Sequence, residues 1–151
     1  MAKASKKYEK IMFGLEDLTE PQDQKTGSIA YFMLTLMQIS AQAKILHWQT
    51  DFDREHRHFG TFFEEFTEQM DTLVESIAGK YGKENLKFGQ AGIMVYDYDQ
   101  AREKFFELVD DSLCGTFREL FDRDKDSELY NLADNLLDLR NKVQYLLQFK
   151  P

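Results

Sequence analysis

A chain of 151 residues, 42% hydrophobic and 14% aromatic, can bury one sizeable core and is too short to expect two. Its 27 acidic against 19 basic side chains give a formal net charge of -8, a surface that repels nucleic acid at long range. One cysteine excludes an intrachain disulfide, and the sequence reads as having neither an apolar run of about 18 residues nor a signal-like start, so a soluble cytoplasmic protein without a membrane attachment is expected.

Residues 1–26 read as an N-terminal extension with a short helix, and 27–151 as the domain proper. Because the only prolines are Pro21 and Pro151, nothing between them interrupts long helices. Ile29, Phe32, Met33, Leu36, Ala43 and Leu46 mark a first helix beginning near Ser28. Phe59, Phe62, Phe63, Phe66, Met70, Leu73, Val74 and Ile77 mark a second, ending at "GKYG". The glycine-bearing stretch from Gly82 to Asp97 has no clean period and reads as a crossover long enough to join parallel helices. A third helix opens at Asp97, where Asp97 and Gln100 have capping-box spacing, and runs through Phe105, Leu108, Val109, Leu113 and Phe117 to "DRDKDS". Cys114 falls inside it and reads as a small buried hydrophobe. Leu129, Leu132, Ala133, Leu136, Leu137, Val143, Leu146 and Leu147 mark a fourth. Four long helices with one long link, between the second and third, predict an all-α, ferritin-like four-helix bundle.

All three histidines lie in "HWQTDFDREHRH", residues 47–58. After them the second helix carries Glu64, Glu68, Asp71 and Glu75 in a single line on the flank opposite the core, with no lysine between. Like charges at this spacing destabilise a helix by roughly 0.2–0.5 kcal/mol per pair, so a cation or a basic partner would relieve them. The plain alternative is a solvated face. His47 reads as a partner of the helix dipole, His58 as a surface residue, and Trp48 as an anchor for the helix end. Glu55 and His58 also form a lone E-x-x-H pattern, without the second copy a di-iron bundle needs.

At "LHWQT…EHRHFGTFFEEFTEQMDTLVESIAGKYG" the chain resembles the Dps family of mini-ferritins. The elements are a His-Trp pair (His47, Trp48), a second histidine opening the next helix (His56), and D-x-x-x-E (Asp71, Glu75) before a glycine-bearing helix end. The resemblance implies an Fe(II)-oxidising site at a twofold interface, with His47 and His56 from one subunit and Asp71 and Glu75 from its mate. It further implies a homo-oligomer, from a twofold dimer up to a cage, with Trp48 beside the metal. Two departures stand out. The interval from His47 to His56 is three residues shorter than the family's, and Gly60 stands where the family has an acid, for which Glu64 or Glu68 would substitute. The segment is also similar to small uncharacterised phage proteins sharing H-W/L-Q-T and "GKYG". That likeness points instead to a non-enzymatic, phage-type helical module with a structural or protein-interaction role. Lys3, Lys6, Lys7 and Lys10 resemble the basic arms with which some Dps proteins hold DNA; against the acidic balance they more often serve solubility.

Overall fold

Helical periodicity without internal proline produces long helices in the computed structural model, which describes residues 24–149 and contains no strand among them. Helix α1 (Gln24–Gln49) leads through a three-residue link into α2 (Asp53–Tyr81). The crossover from residue 82 to residue 97 holds a short 3-10 turn (Lys83–Leu86). Helix α3 is continuous in three parts: α-helical Tyr98–Asp110, π-helical Asp111–Thr116 and a last α-turn Phe117–Leu120. Helix α4 (Ser127–Leu147) is the fourth helix of the bundle.

Contacts at the two ends fix the directions. At one end Arg102, in the first turns of α3, donates to Glu55 near the start of α2 and to the Leu147 carbonyl at the end of α4. At the other, Lys80 at the end of α2 meets Asp126 and Glu128 at the start of α4. Helices α2 and α3 are therefore parallel, each antiparallel to its neighbours, and the crossover travels the length of the bundle as its length predicted. Around the bundle the packing order is α1, α2, α4, α3.

The expected apolar stripes are the core. Phe32, Leu36 and Ile39 of α1, Phe59, Phe66 and Leu73 of α2, Phe105 of α3 and Leu136 of α4 are fully buried. Phe105 meets Phe59 and Phe62 edge-on at centroid distances of 5.6 and 5.2 Å, the arrangement aromatic quadrupoles favour.

Several details depart from the sequence reading. Helix α1 begins at Gln24 rather than Ser28. From Ile29 to Gln49 it is long and apolar enough to span a membrane by length and composition, against the expectation of no such run, and two thirds of its most apolar 18 residues are buried inside the bundle. The reason is that α1 is covered on a further side by the crossover, so even Gln38 and Gln42, which donate to Met94 O, are buried. Asp97 is the N-cap of α3 but makes no side-chain cap bond, so the capping box does not form. Cys114 is exposed, not buried. The core spacing passes through Leu113 and Phe117, and residue 114 falls beside that line on the solvent side of the π-turn. The four N-terminal lysines lie outside the described residues.

Candidate functional site

The link between α1 and α2 is tight because its polar groups are satisfied locally. Thr50 N–H donates to Leu46 O (3.1 Å), Phe52 N–H to Thr50 Oγ1 (3.2 Å), and the Thr50 hydroxyl to Glu55 Oε2 (3.0 Å). Glu55 also takes Arg102 Nη1 at 2.7 Å, so it serves the bundle end rather than an E-x-x-H metal motif.

This tight link brings His47 and His56 face to face. Their rings stack with centroids 3.8 Å apart and planes inclined by 22°. Nδ1 of His47 bonds the His56 carbonyl and Nδ1 of His56 bonds the His47 carbonyl, each at 2.6 Å. A carbonyl only accepts, so both Nδ1 atoms carry the proton, and in each neutral ring Nε2 keeps its lone pair. His47 does not merely face the helix dipole: its own carbonyl, one of the orphan acceptors ending α1, is satisfied by His56.

Gly60 makes the arrangement possible. A Cβ built there would lie 2.8 Å from His47 Nδ1 and 2.9 Å from Cε1. Gly60 is the notch in α2 that seats the His47 ring. A mid-helix glycine costs about 1 kcal/mol against alanine, the one sequence signal that a close approach was needed here.

The carboxylates lie elsewhere. Glu64, Glu68, Asp71 and Glu75 are all exposed, and none makes a side-chain hydrogen bond or ion pair among the described residues. Arg57, at the head of their face, pairs with Asp53 at 3.1 Å. Among the described residues no group of three or more His, Cys, Asp or Glu side chains is placed to hold a metal ion within one chain. His47 and His56 are brought together; the acids are not brought to them.

Two neighbours differ from expectation. His58 is half-buried in the groove between α2 and α4, beside Phe62, Glu65, Lys142 and Leu146, rather than on the surface. Burial, then the charges of Arg54 and Arg57, lower its pKa below the ordinary imidazole value. Trp48 is 68% exposed and anchors nothing; Lys44 Nζ lies over its ring at 5.9 Å and over Phe63 at 4.9 Å.

The histidine pair, the acidic helix and the α4 end of the bundle all fall within residues 47–147, the span matched by a single family model. The chain belongs to DUF5856, a family of unknown function. That span is about two thirds of the chain and includes α2, the crossover, α3 and α4, together with the end of α1 that carries His47. No curated protein matches the chain. No solved structure matches it either.

Proposed function

We propose that this bundle is a ferritin-like, Dps-type protein that takes up Fe(II) on His47 and His56 and oxidises it at a site closed by Asp71 and Glu75 of a second copy. The carrying observation is the reciprocal Nδ1 pairing, because a main-chain carbonyl on Nδ1 is the partner that fixes an imidazole with Nε2 ready to ligate a metal. Imidazole and carboxylate together suit Fe(II) and leave positions open for oxygen or peroxide. The parallel α2 and α3 joined by a full-length crossover support the ferritin-like assignment.

The fit is good in ligand type and incomplete in number, since one chain offers two imidazoles and no third donor among the described residues. His56 and Asp71 are 15 positions apart on one helix, about 22 Å, so a shared ion needs a second subunit. Lone pairs lie in the ring planes, and stacked rings hold them in two nearly parallel planes rather than aiming them at one point. One ring must therefore turn to share an ion, or each takes its own.

The test is anaerobic Fe(II) titration followed by air or peroxide. Saturable binding and oxidation faster than the protein-free control are expected, with stabilisation of about 2.7 kcal/mol at a hundredfold excess over Kd. His56→Ala and Asp71→Ala should each abolish the shift, and His58→Ala should not. A folded protein that neither binds nor oxidises iron refutes the reading. The second reading, a protein-interaction module, then leads. It is favoured by Phe52 and Phe149, 53% and 50% exposed, which line an open pocket of about 300 Å³ at the histidine end of the bundle.

A further inference from the structure

We propose that residues 1–18 fold back over the outward face of α1 as a helix antiparallel to it, with Lys3, Lys7 and Lys10 set against Glu64, Glu68 and Asp71 of α2. Residues 1–23 lie outside the described residues; the surface they would cover does not. It is an apolar stripe of α1 that the bundle leaves open. Ser40 and His47 of α1 meet α2, and Gln38 and Gln42 meet the crossover. Between those two sides Leu34, Met37, Ala41 and Trp48 recur at helical spacing, Met37 56% and Trp48 68% exposed. Lys44 borders the stripe, and beyond it on the α2 side stands the exposed acidic line.

The N-terminal sequence carries the matching stripe. Met1, Ala4, Tyr8, Ile11, Leu15 and Leu18 alternate spacings of three and four, the seam of a helix that packs on another helix. Pro21 interrupts helical continuity just ahead of Gln24, where α1 begins, and so supplies the turn. A helix of residues 1–18 is about 27 Å long and α1 from Gln24 to Lys44 about 30 Å, so segment and stripe agree in length. A short turn sets Ile11 level with Leu34, Tyr8 with Met37 and Ala4 with Ala41.

The charges select this sense. At about 100° per residue Lys3, Lys7 and Lys10 share one flank of the seam, and Glu9 and Glu16 the other. Running antiparallel to α1, the segment presents the lysine flank to α2; running parallel, it would present that flank to the crossover. Antiparallel to α1 is parallel to α2, and Lys3, Lys7 and Lys10 repeat the spacing of Glu64, Glu68 and Asp71. Heights along the bundle agree independently. Ser40 Oγ meets Thr67 Oγ1 at 2.8 Å and Lys44 Nζ stands over Phe63, so Met37 is level with Met70. Tyr8 against Met37 therefore brings Lys7 within one residue of Glu68. Exposed ion pairs are each worth at most about 1 kcal/mol, so the apolar seam holds the segment and the lysines fix its direction. Asp71 then lies beside the segment, and a second copy reaches it only when the segment lifts; the fold-back itself requires no metal.

The test uses the full chain with Cys114→Ser, Ala4→Cys and Ala41→Cys. Mild oxidation is expected to close an intrachain disulfide, read as a faster-migrating monomer on a non-reducing gel, because small residues facing across the seam come within the bridging Cα separation of about 4.4–6.8 Å. Moving the first cysteine to the far side of the segment, Ala2→Cys with Ala41→Cys, should slow closure at least about tenfold although the tether is equally long. Glu68→Lys should slow closure of the Ala4→Cys, Ala41→Cys pair, and Lys7→Glu added to it should restore the rate, a rescue that a merely tethered tail cannot give. Equal rates for the two cysteine placements, or a charge swap without rescue, overturn the proposal. A disulfide-linked dimer in place of the closed monomer overturns it as well and gives the face to a second copy. Every arm is read without metal. Closure by a protein that binds no iron keeps this fold-back and removes the ferroxidase reading; iron binding by a protein that never closes does the reverse.

Discussion

His47 and His56 bind each other through the main chain, each Nδ1 on the other's carbonyl at 2.6 Å, so that two side chains close the α1–α2 hairpin and neither uses Nε2 to do so. The prediction is a tautomer. Long-range ¹⁵N–¹H correlation on the neutral protein should show both rings protonated at Nδ1, and a ring protonated at Nε2 contradicts the arrangement. Either His→Ala change removes one bond and the stacked contact, a loss of about 1 kcal/mol in urea denaturation.

Gly60 gives a variant that separates structure from site. Gly60→Ala gains about 1 kcal/mol of helix propensity but drives a Cβ to 2.8 Å from His47 Nδ1, so the ring must leave its carbonyl. The two effects offset, and the melting point should stay near that of the parent while the Nδ1–H signature of His47 disappears. Gly60→Asp, which adds a carboxylate beside the histidines, should evict His47 rather than join the two rings in holding a metal. Gain of metal affinity in Gly60→Asp would show that the ring has somewhere else to go.

The bundle was legible because burial follows spacing: Phe59, Phe62, Phe66, Met70, Leu73 and Ile77 recur at helical intervals and all are buried. The π-turn was not, because the line of Phe105, Val109, Leu113 and Phe117 keeps a spacing of four across it and leaves no mark in the pattern. The histidines stood out by residue type, yet their partners are main-chain carbonyls, which every residue possesses. His58 and Trp48 were misplaced for another reason. Their exposure depends on which neighbouring helix covers them, and α4 covers His58 while Trp48 stands out from the end of α1.

The clamp on the crossover makes a separate claim. Gln38 and Gln42 are 3% and 1% exposed and both donate to Met94 O. Replacing both with leucine removes the amides and leaves that carbonyl without these donors, at a cost of about 1–3 kcal/mol if it stays buried. The cheaper response is for the crossover to lift. Limited proteolysis should then cut first between residues 88 and 96, and unchanged protection there would mean that other contacts hold the segment.

At the opposite end of the bundle a buried carboxylate sets the pH range of stability. Asp126 is 1% exposed and accepts from Tyr81 Oη (2.5 Å), Lys80 Nζ (2.9 Å) and the Asp122 N–H (2.8 Å). Burial alone would push its pKa up; the bonds from Tyr81, Lys80 and the Asp122 amide outweigh it and hold the carboxyl below the usual aspartate value of 3.8. Tyr81 moves the other way, from 10.0 to about 12, through burial first and then its hydrogen bond to Asp126. A depressed carboxyl contributes stability that is present above 3.8 and is lost as pH falls through the lower folded value. A raised phenol contributes stability that is complete below 10 and is lost as pH climbs from there toward about 12. Stability should therefore fall at both extremes, and single variants should reduce one limb each. Tyr81→Phe should flatten the alkaline limb. Asp126→Ala should abolish its share of the acid limb and, because it removes a buried acceptor of the Tyr81 hydroxyl and the Asp122 N–H while Lys80 keeps Glu128, cost about 1–3 kcal/mol near neutrality. Urea midpoints recorded from pH 2 to pH 12 check both, and an alkaline limb that survives Tyr81→Phe would place the responsible group elsewhere.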